Sequence, residues 1–256
     1  MSEKAYKKSI EHGVEFLQKT ISAKTPKKKA ALAKKSVANF KKAISIAKEL
    51  RLKKTPYIYE YLQQIQATLA ASLLELKKIP EAIQTFEEAL ESNSQSPQNT
   101  KQKEIRSFIY AEQAKLYLSM QKISKAEKYA NQALHLGSSE NNFNQEDLLD
   151  LYIEMNPVFI RSANLAKITK NYRAMVKLAK RDKRKHIKAQ VYFAYGKYMF
   201  GIGNDIAESK KYLRKAQTLF QTLGSHQGLA EVTKFFQDRI EKVDEEKPDG
   251  EILNST

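Results

Sequence analysis

Hydrophobic positions along this chain recur at intervals of three and four, the spacing of one face of an α-helix. In "IYEYLQQIQATLAASLLEL", Ile58, Leu62, Ile65, Leu69, Leu73 and Leu76 keep that period, with polar residues between them. In "IPEAIQTFEEALE", Ala82, Phe86 and Ala89 keep it too, but small residues there flank a single aromatic ring. No stretch alternates with the period of two that a half-buried strand requires. Pro26, Pro56, Pro80, Pro97 and Pro157 fall between the amphipathic runs and are expected to separate helices. Thr55 before Pro56 reads as an N-cap with proline at the first helical position. "SKAE" (Ser124 to Glu127) and "DIAE" (Asp205 to Glu208) have capping-box spacing. Gly137 and Gly224 stand where a left-handed residue would end a helix. The pattern predicts an all-α protein.

The spacing of this stripe then returns, with or without its central ring. Ser36, Phe40 and Ala43 share its spacing, as do Ala126, Ala130 and Ala133, and Ser209, Leu213 and Ala216. The first residues of these triplets are 46, 44 and 83 apart, and "SANLAKITKNYRAMVKLAKR" lies inside the last gap as a degenerate copy. About five helical pairs follow, a self-similarity that marks stacked-helix solenoids. Each clear copy has an upstream helix with its own small residue. Ala70 precedes Ala82 by 12 positions, Ala114 precedes Ala126 by 12, and Gly196 precedes Ser209 by 13.

Flanked by Gln66, Leu69 and Leu73, by Tyr110 and Tyr117, and by Tyr192 and Met199, these positions resemble the layout of tetratricopeptide repeats. The resemblance implies a right-handed α-solenoid of stacked antiparallel helix pairs. Ala70 and Ala82 would let two helices cross closely, Phe86 would fill the wedge beside the crossing, and Ala89 would admit the next pair. One pair cannot bury this face alone, so stability comes from stacked neighbours. The repeats run longer than the usual 34 residues, the closing proline is displaced to Pro97 or missing, and the first and fourth pairs match poorly in their upstream helices.

Composition narrows the class. Of 256 residues, 41% are hydrophobic, enough for a core, while "ATLAASLLEL" and "VYFAYGKYMF" are too short to span a bilayer. The start, "MSEKAYKKSIEHGVEFLQ", has no apolar signal-peptide region, and a cytoplasmic location is the expectation. Cysteine is absent, which excludes disulfides, thiolate metal sites and a Cys nucleophile. Residues 1–243 read as one repeat domain. Residues 244–256, containing "DEEKPDGE", read as an acidic tail expected to be disordered.

Catalytic constellations are missing from the sequence. His12, His135, His186 and His226 lie far apart, and neither His-Glu-x-x-His nor a phosphate-cradling Gly-x4-Gly-Lys occurs. "GIGN" (Gly201 to Asn204) follows no strand and reads as a turn between helices. No cofactor, metal or enzymatic activity is predicted. The resemblance implies instead a concave groove lined by first helices. The groove positions carry over to Gln64, Ala67 and Ala71, to Phe108, Ala111 and Lys115, and to Gln190, Phe193 and Lys197. Gln64, Lys115, Gln190 and Lys197 would be polar or cationic anchors, and Phe108 and Phe193 aromatic contacts. The family's clamp for acidic chaperone tails, with Asn and Lys or Arg at several such places, is absent.

Charge adds a second surface. With 45 Lys and Arg against 29 Asp and Glu, the chain carries +16 and is expected to attract anionic surfaces, whether nucleic acid, acidic lipid or an acidic protein. "KLAKRDKRKHIK" is the densest basic run, and Lys180, Arg181, Lys183, Arg184 and Lys185 form either a solvated helix end or a phosphate-contacting patch. It lacks the interleaved aromatic rings usual in nucleic-acid modules. "YIYEY" (Tyr57, Tyr59, Tyr61) and "VYFAYGKY" (Tyr192, Tyr195, Tyr198) hold more rings than one stripe buries, so some are expected to be accessible unless the helices pack on both sides. Together these features predict a non-catalytic scaffold binding a protein or peptide. The alternative is a basic solenoid on RNA, DNA or an acidic membrane.

Overall fold

The computed structural model describes residues 3–50, 55–95, 99–139 and 143–241, without the side chains of Thr55, Pro56, Tyr57, Asn93 and Glu241. Every regular element among them is helical. In order they are α1 (Glu3–Ser22), α2 (Pro26–Glu49), α3 (Thr55–Glu75), α4 (Ile79–Gln95), α5 (Thr100–Ser119) and α6 (Ile123–Ser138). There follow α7 (Gln145–Ser162), α8 (Leu165–Ala179), α9 (Lys185–Gly201), α10 (Ile206–Thr222) and α11 (His226–Phe235), with a π-helical turn at Phe236–Glu241. The chain divides into two compact units, Met1–Asn144 and Gln145–Thr256.

Consecutive helices pair as hairpins: α1 with α2, α3 with α4 and α5 with α6 in the first unit, α7 with α8 and α9 with α10 in the second. Four of the five turns contain one left-handed residue: Lys77, Gln121, Ala163 and Asn204, with φ between 48° and 58°. Each stands five positions before the first residue of a stripe: Ala82, Ala126, Ile168 and Ser209. At Lys77 the next amide, Lys78 N, donates to Leu73 O at 2.9 Å, and at Gln121 Lys122 N donates to Tyr117 O at 2.9 Å. This closure satisfies carbonyls that a helix end would otherwise leave unpaired.

The stripes pack as their residue sizes require. Ala70, Ala82, Phe86 and Ala89 are fully buried, as are Ala114, Ala126, Ala130 and Ala133. In the first pair the small upstream residue is Gly13, 23 positions before Ser36 because α1 and α2 are long. A Cβ on Gly13 would lie 2.7 Å from the Phe40 ring. In the fourth pair Ile168, Tyr172 and Met175 replace the small–aromatic–small set, and Asn156 takes the crossing position. Asn171 Nδ2 donates there to Asn156 Oδ1 at 2.9 Å.

Three local expectations change. Pro157 lies inside α7 and does not separate helices. Ser124 does not cap α6, because the left-handed turn at Gln121 starts the helix early and makes Lys122 the cap. Gly137 is still within α6. Asp205 does cap α10, accepting from Glu208 N at 2.8 Å, and Gly224, at φ 63°, follows that helix. The Thr55 cap, Pro97 and the tail 244–256 lie outside the described residues and side chains.

Candidate functional site

In the first unit the first helices α1, α3 and α5 adjoin one another. On them Gln64 is half-buried, and Phe108 is 46% exposed. Lys115 is partly exposed and pairs with Glu112 at 2.5 Å. Its charge is therefore matched within α5, and the acidity expected of a partner finds no free cation at this position.

Ala67 and Ala111 are buried, not open to a ligand. Ala67 belongs to the core cluster with Phe86 and Ile109. In the second unit Gln190 is exposed, but Phe193 is 9% exposed. Its ring meets Phe235 of α11 edge-on at 6.4 Å, and the Lys197 ammonium sits 4.2 Å from its centre. Ala67, Ala111 and Phe193 occupy the same repeat position, three residues before the crossing, and all three are covered. Phe193 is thus mostly packed, although it still lines an open pocket of about 260 Å³ with Lys197, Lys234 and Phe235. The groove set splits between the units: Gln64, Phe108 and Lys115 in the first, Gln190, Phe193 and Lys197 in the second.

The second unit also buries five of its tyrosines. Tyr192 stands 5.3 Å from Tyr212, Tyr212 4.8 Å from Tyr195, Tyr195 6.1 Å from Tyr172, and Tyr172 4.6 Å from Tyr198. Burial raises the phenol pKa of Tyr172, Tyr192, Tyr195 and Tyr212. Both sides of α9 are packed, which accounts for the surplus of rings. In the first unit Tyr61 is 44% exposed and stacks on Phe40 at 5.7 Å.

The basic run is organised by its one carboxylate. Asp182 is buried. Its Oδ1 accepts from Arg184 N at 2.6 Å, and its Oδ2 accepts from Arg184 Nη2 at 2.8 Å. Arg184 Nη1 reaches Asp150 Oδ2 of α7 at 2.8 Å. Hydrogen bonding to Arg184 holds the Asp182 pKa below the usual carboxylate value. Arg184 therefore ties the α8–α9 loop to α7 and is not available to a phosphate. Lys180, Arg181, Lys183 and Lys185 remain exposed. Sequence reasoning passed over Arg214 and Lys215, exposed on α10 in "KKYLRKAQ"; its clustered cations were the signal.

A pocket of about 360 Å³ between α2, α3 and α4 has a mixed lining with a hydrogen-bonded network along it. Ser92 Oγ donates to Gln66 Oε1 at 2.8 Å, Gln66 Nε2 donates to Glu88 Oε2 at 3.1 Å, and Lys41 Nζ donates to the same oxygen at 2.8 Å. These four residues bind one another, a structural network across three helices. Among the described residues no group of three or more His, Cys, Asp or Glu could hold a metal ion. No described helix is long and apolar enough to cross a membrane.

The hairpins, the left-handed turn that four of the five share and the buried stripes with small residues at the crossings define a tetratricopeptide-like helical repeat fold. Solved structures share it. BtubC (BKLC) from P. vanneervenii superposes with a TM-score of 0.61 at 14% identity, over 88% of this chain and 92% of that one. A Podosopora anserina putative kinesin light chain with nearly identical TPR-like repeats gives 0.54 at 12% identity, over 88% and 99%. A signal-transduction ATPase from Pyrococcus horikoshii with a tetratricopeptide repeat sensor gives 0.52 at 15% identity, over 96% of this chain and 39% of that one. At these identities the likeness concerns the fold alone. No family model matches the sequence, and no curated protein matches it.

Proposed function

We propose that the protein is a non-catalytic scaffold that binds a protein or peptide along the first helices of its repeats. The observation that carries this reading is Phe108. It is a large aromatic side chain on a first helix, 46% exposed, at the repeat position that Gln64 occupies on the neighbouring α3. Burying such a ring in an interface contributes apolar area at little entropy cost, and aromatic anchors dominate binding energy in protein interfaces. Gln64 and the Lys115–Glu112 pair supply hydrogen-bonding groups on the same two helices. In the second unit Gln190 and Lys197 stay accessible, so a partner would meet polar rather than aromatic groups there.

The test compares proteins captured from a lysate by the wild type and by Phe108→Ala, followed by titration of the captured partner. Loss of about 2 kcal/mol of affinity is expected for an anchor ring. Unchanged affinity for every captured protein would remove the groove on α3 and α5 as the binding site.

A further inference from the structure

The scaffold reading leaves unused a basic face on the second unit. Lys188, in the first turn of α9, and Arg214 and Lys215 of α10 line one open pocket of about 390 Å³ with Tyr192, Thr218 and Leu219. Lys188 Nζ donates to the carbonyl of Lys180, the cap of α8, at 3.4 Å, so the end of α8 lies beside Lys188. The Lys215 ammonium lies 5.9 Å from the centre of the Tyr192 ring and 4.9 Å from that of Tyr212. Further along α8, Lys177 and Arg173 are exposed, and Arg173 lies near enough to Tyr195 to influence its titration.

Elsewhere on second helices, lysines meet carboxylates: Lys34 with Glu81 at 3.4 Å, Lys41 with Glu88 at 2.8 Å, and Lys211 with Glu208 at 2.9 Å. None of Arg173, Lys177, Lys180, Lys188, Arg214 and Lys215 has such a partner among the described residues. Asp182, the one carboxylate of the adjoining loop, is buried and committed to Arg184. Asp182 acts on Lys188, and Glu208 acts on the same Tyr195 phenol as Arg173, so part of this charge is offset. The remaining cations repel one another, and an anionic ligand relieves that repulsion.

The surroundings choose among anions. A protein partner would need exposed apolar anchors. The pocket's own apolar residues are the buried Tyr192 and the half-buried Leu219, and the large apolar side chains exposed in this unit, Ile160, Leu165, Ile202 and Leu223, lie off it. A single strand would stack its bases on exposed rings, but Tyr192 and Tyr212 are buried. Contact with a duplex backbone needs only cations at accessible positions, and it carries no sequence readout. We propose that this face of α8, α9 and α10 binds the phosphate backbone of a nucleic-acid duplex. Tyr192 and Leu219 form its apolar floor.

The experiment uses the full chain and fluorescence anisotropy with labelled 20-base-pair RNA and DNA duplexes between about 50 and 200 mM salt. Arg214→Gln/Lys215→Gln and Arg173→Gln/Lys177→Gln are compared with Lys28→Gln/Lys42→Gln, a charge-matched variant of exposed α2 lysines in the first unit. Each pair on the proposed face should lower the log–log salt slope by about two, because each lost phosphate contact removes about one. The α2 pair should change it by less than about half a unit. Equal losses in all three variants would overturn the proposal, since net charge alone would then account for binding. Tighter binding to a polyglutamate peptide or to phosphatidylserine vesicles than to either duplex would also overturn it. Should a double variant shift its melting temperature, the single Arg214→Gln change replaces it, with an expected slope decrease of about one.

Discussion

Ser209 Oγ donates to the carbonyl of Gly196 at 2.8 Å across the α9–α10 crossing. Ser36 makes the same bond to Gly13 at 2.7 Å between α1 and α2. In both pairs glycine on the first helix lets a serine of the second approach closely enough to spend its hydroxyl on backbone. A Cβ on Gly196 would stand 2.7 Å from Leu213 Cγ and 3.3 Å from its backbone nitrogen. Gly196→Ala should therefore destabilise by about 1 to 3 kcal/mol, the usual range for overpacking. Gly201→Ala, at the end of the same helix with nothing within 4 Å of the added carbon, should stabilise by up to about 1 kcal/mol. Urea unfolding checks both, and shifts of the same sign would contradict the close crossing.

Ala67→Leu should cost about as much as Ala82→Leu, roughly 1 to 3 kcal/mol each. Both residues are buried, Ala67 against Phe86 and Ile109. Ala71→Leu, half-exposed on the same helix, should cost clearly less. Thermal melts in which Ala67→Leu was as mild as Ala71→Leu would restore Ala67 to an open groove.

Ala163 holds φ at 53° in the α7–α8 turn, a conformation that costs an L-residue roughly 1 to 2 kcal/mol. Glycine adopts it freely but loses more entropy on folding. Ala163→Gly should still stabilise by about 0.5 to 1 kcal/mol, and Ala163→Val should destabilise. A lower urea midpoint for the glycine variant would show that the turn is not the strained element.

Asp182→Asn tests the hub of the basic loop. The folded Asp182 pKa is depressed, chiefly by hydrogen bonding to Arg184. Its contribution is therefore complete above the unfolded aspartate value, near about 3.9. It is lost as pH falls through the folded value. The variant should be about 2 kcal/mol less stable at pH 7, the scale of hydrogen bonds to charged groups. The gap should narrow below about pH 4. Unfolding curves at pH 7, 5 and 3 measure it, and a gap that stayed constant to pH 3 would assign the loss to shape rather than charge.

Local periodicity determined a great deal about this protein. The spacing of three and four, with Ala82, Phe86 and Ala89 as its clearest copy, was enough to predict helices and their pairing. Helix period and residue size act within a single turn and can be read without knowing the neighbours. The first and fourth pairs were not legible in the same way. Gly13 sits 23 residues before Ser36, and Ile168, Tyr172 and Met175 are not small where the stripe should be. For the fourth pair the left-handed turn at Ala163, shared with Lys77, Gln121 and Asn204, shows the common register, and for the first pair the close approach of Gly13 to Phe40 does. The fate of candidate site residues was likewise decided between helices. Phe193 and Phe108 occupy different places in the repeat, and Phe235 covers the first while the second stays exposed. Arg184 looks like its basic neighbours in sequence, yet Asp182 and Asp150 neutralise it. Accessibility and charge compensation depend on which distant side chain arrives at a given surface, and that is set by packing between helices rather than by spacing along one.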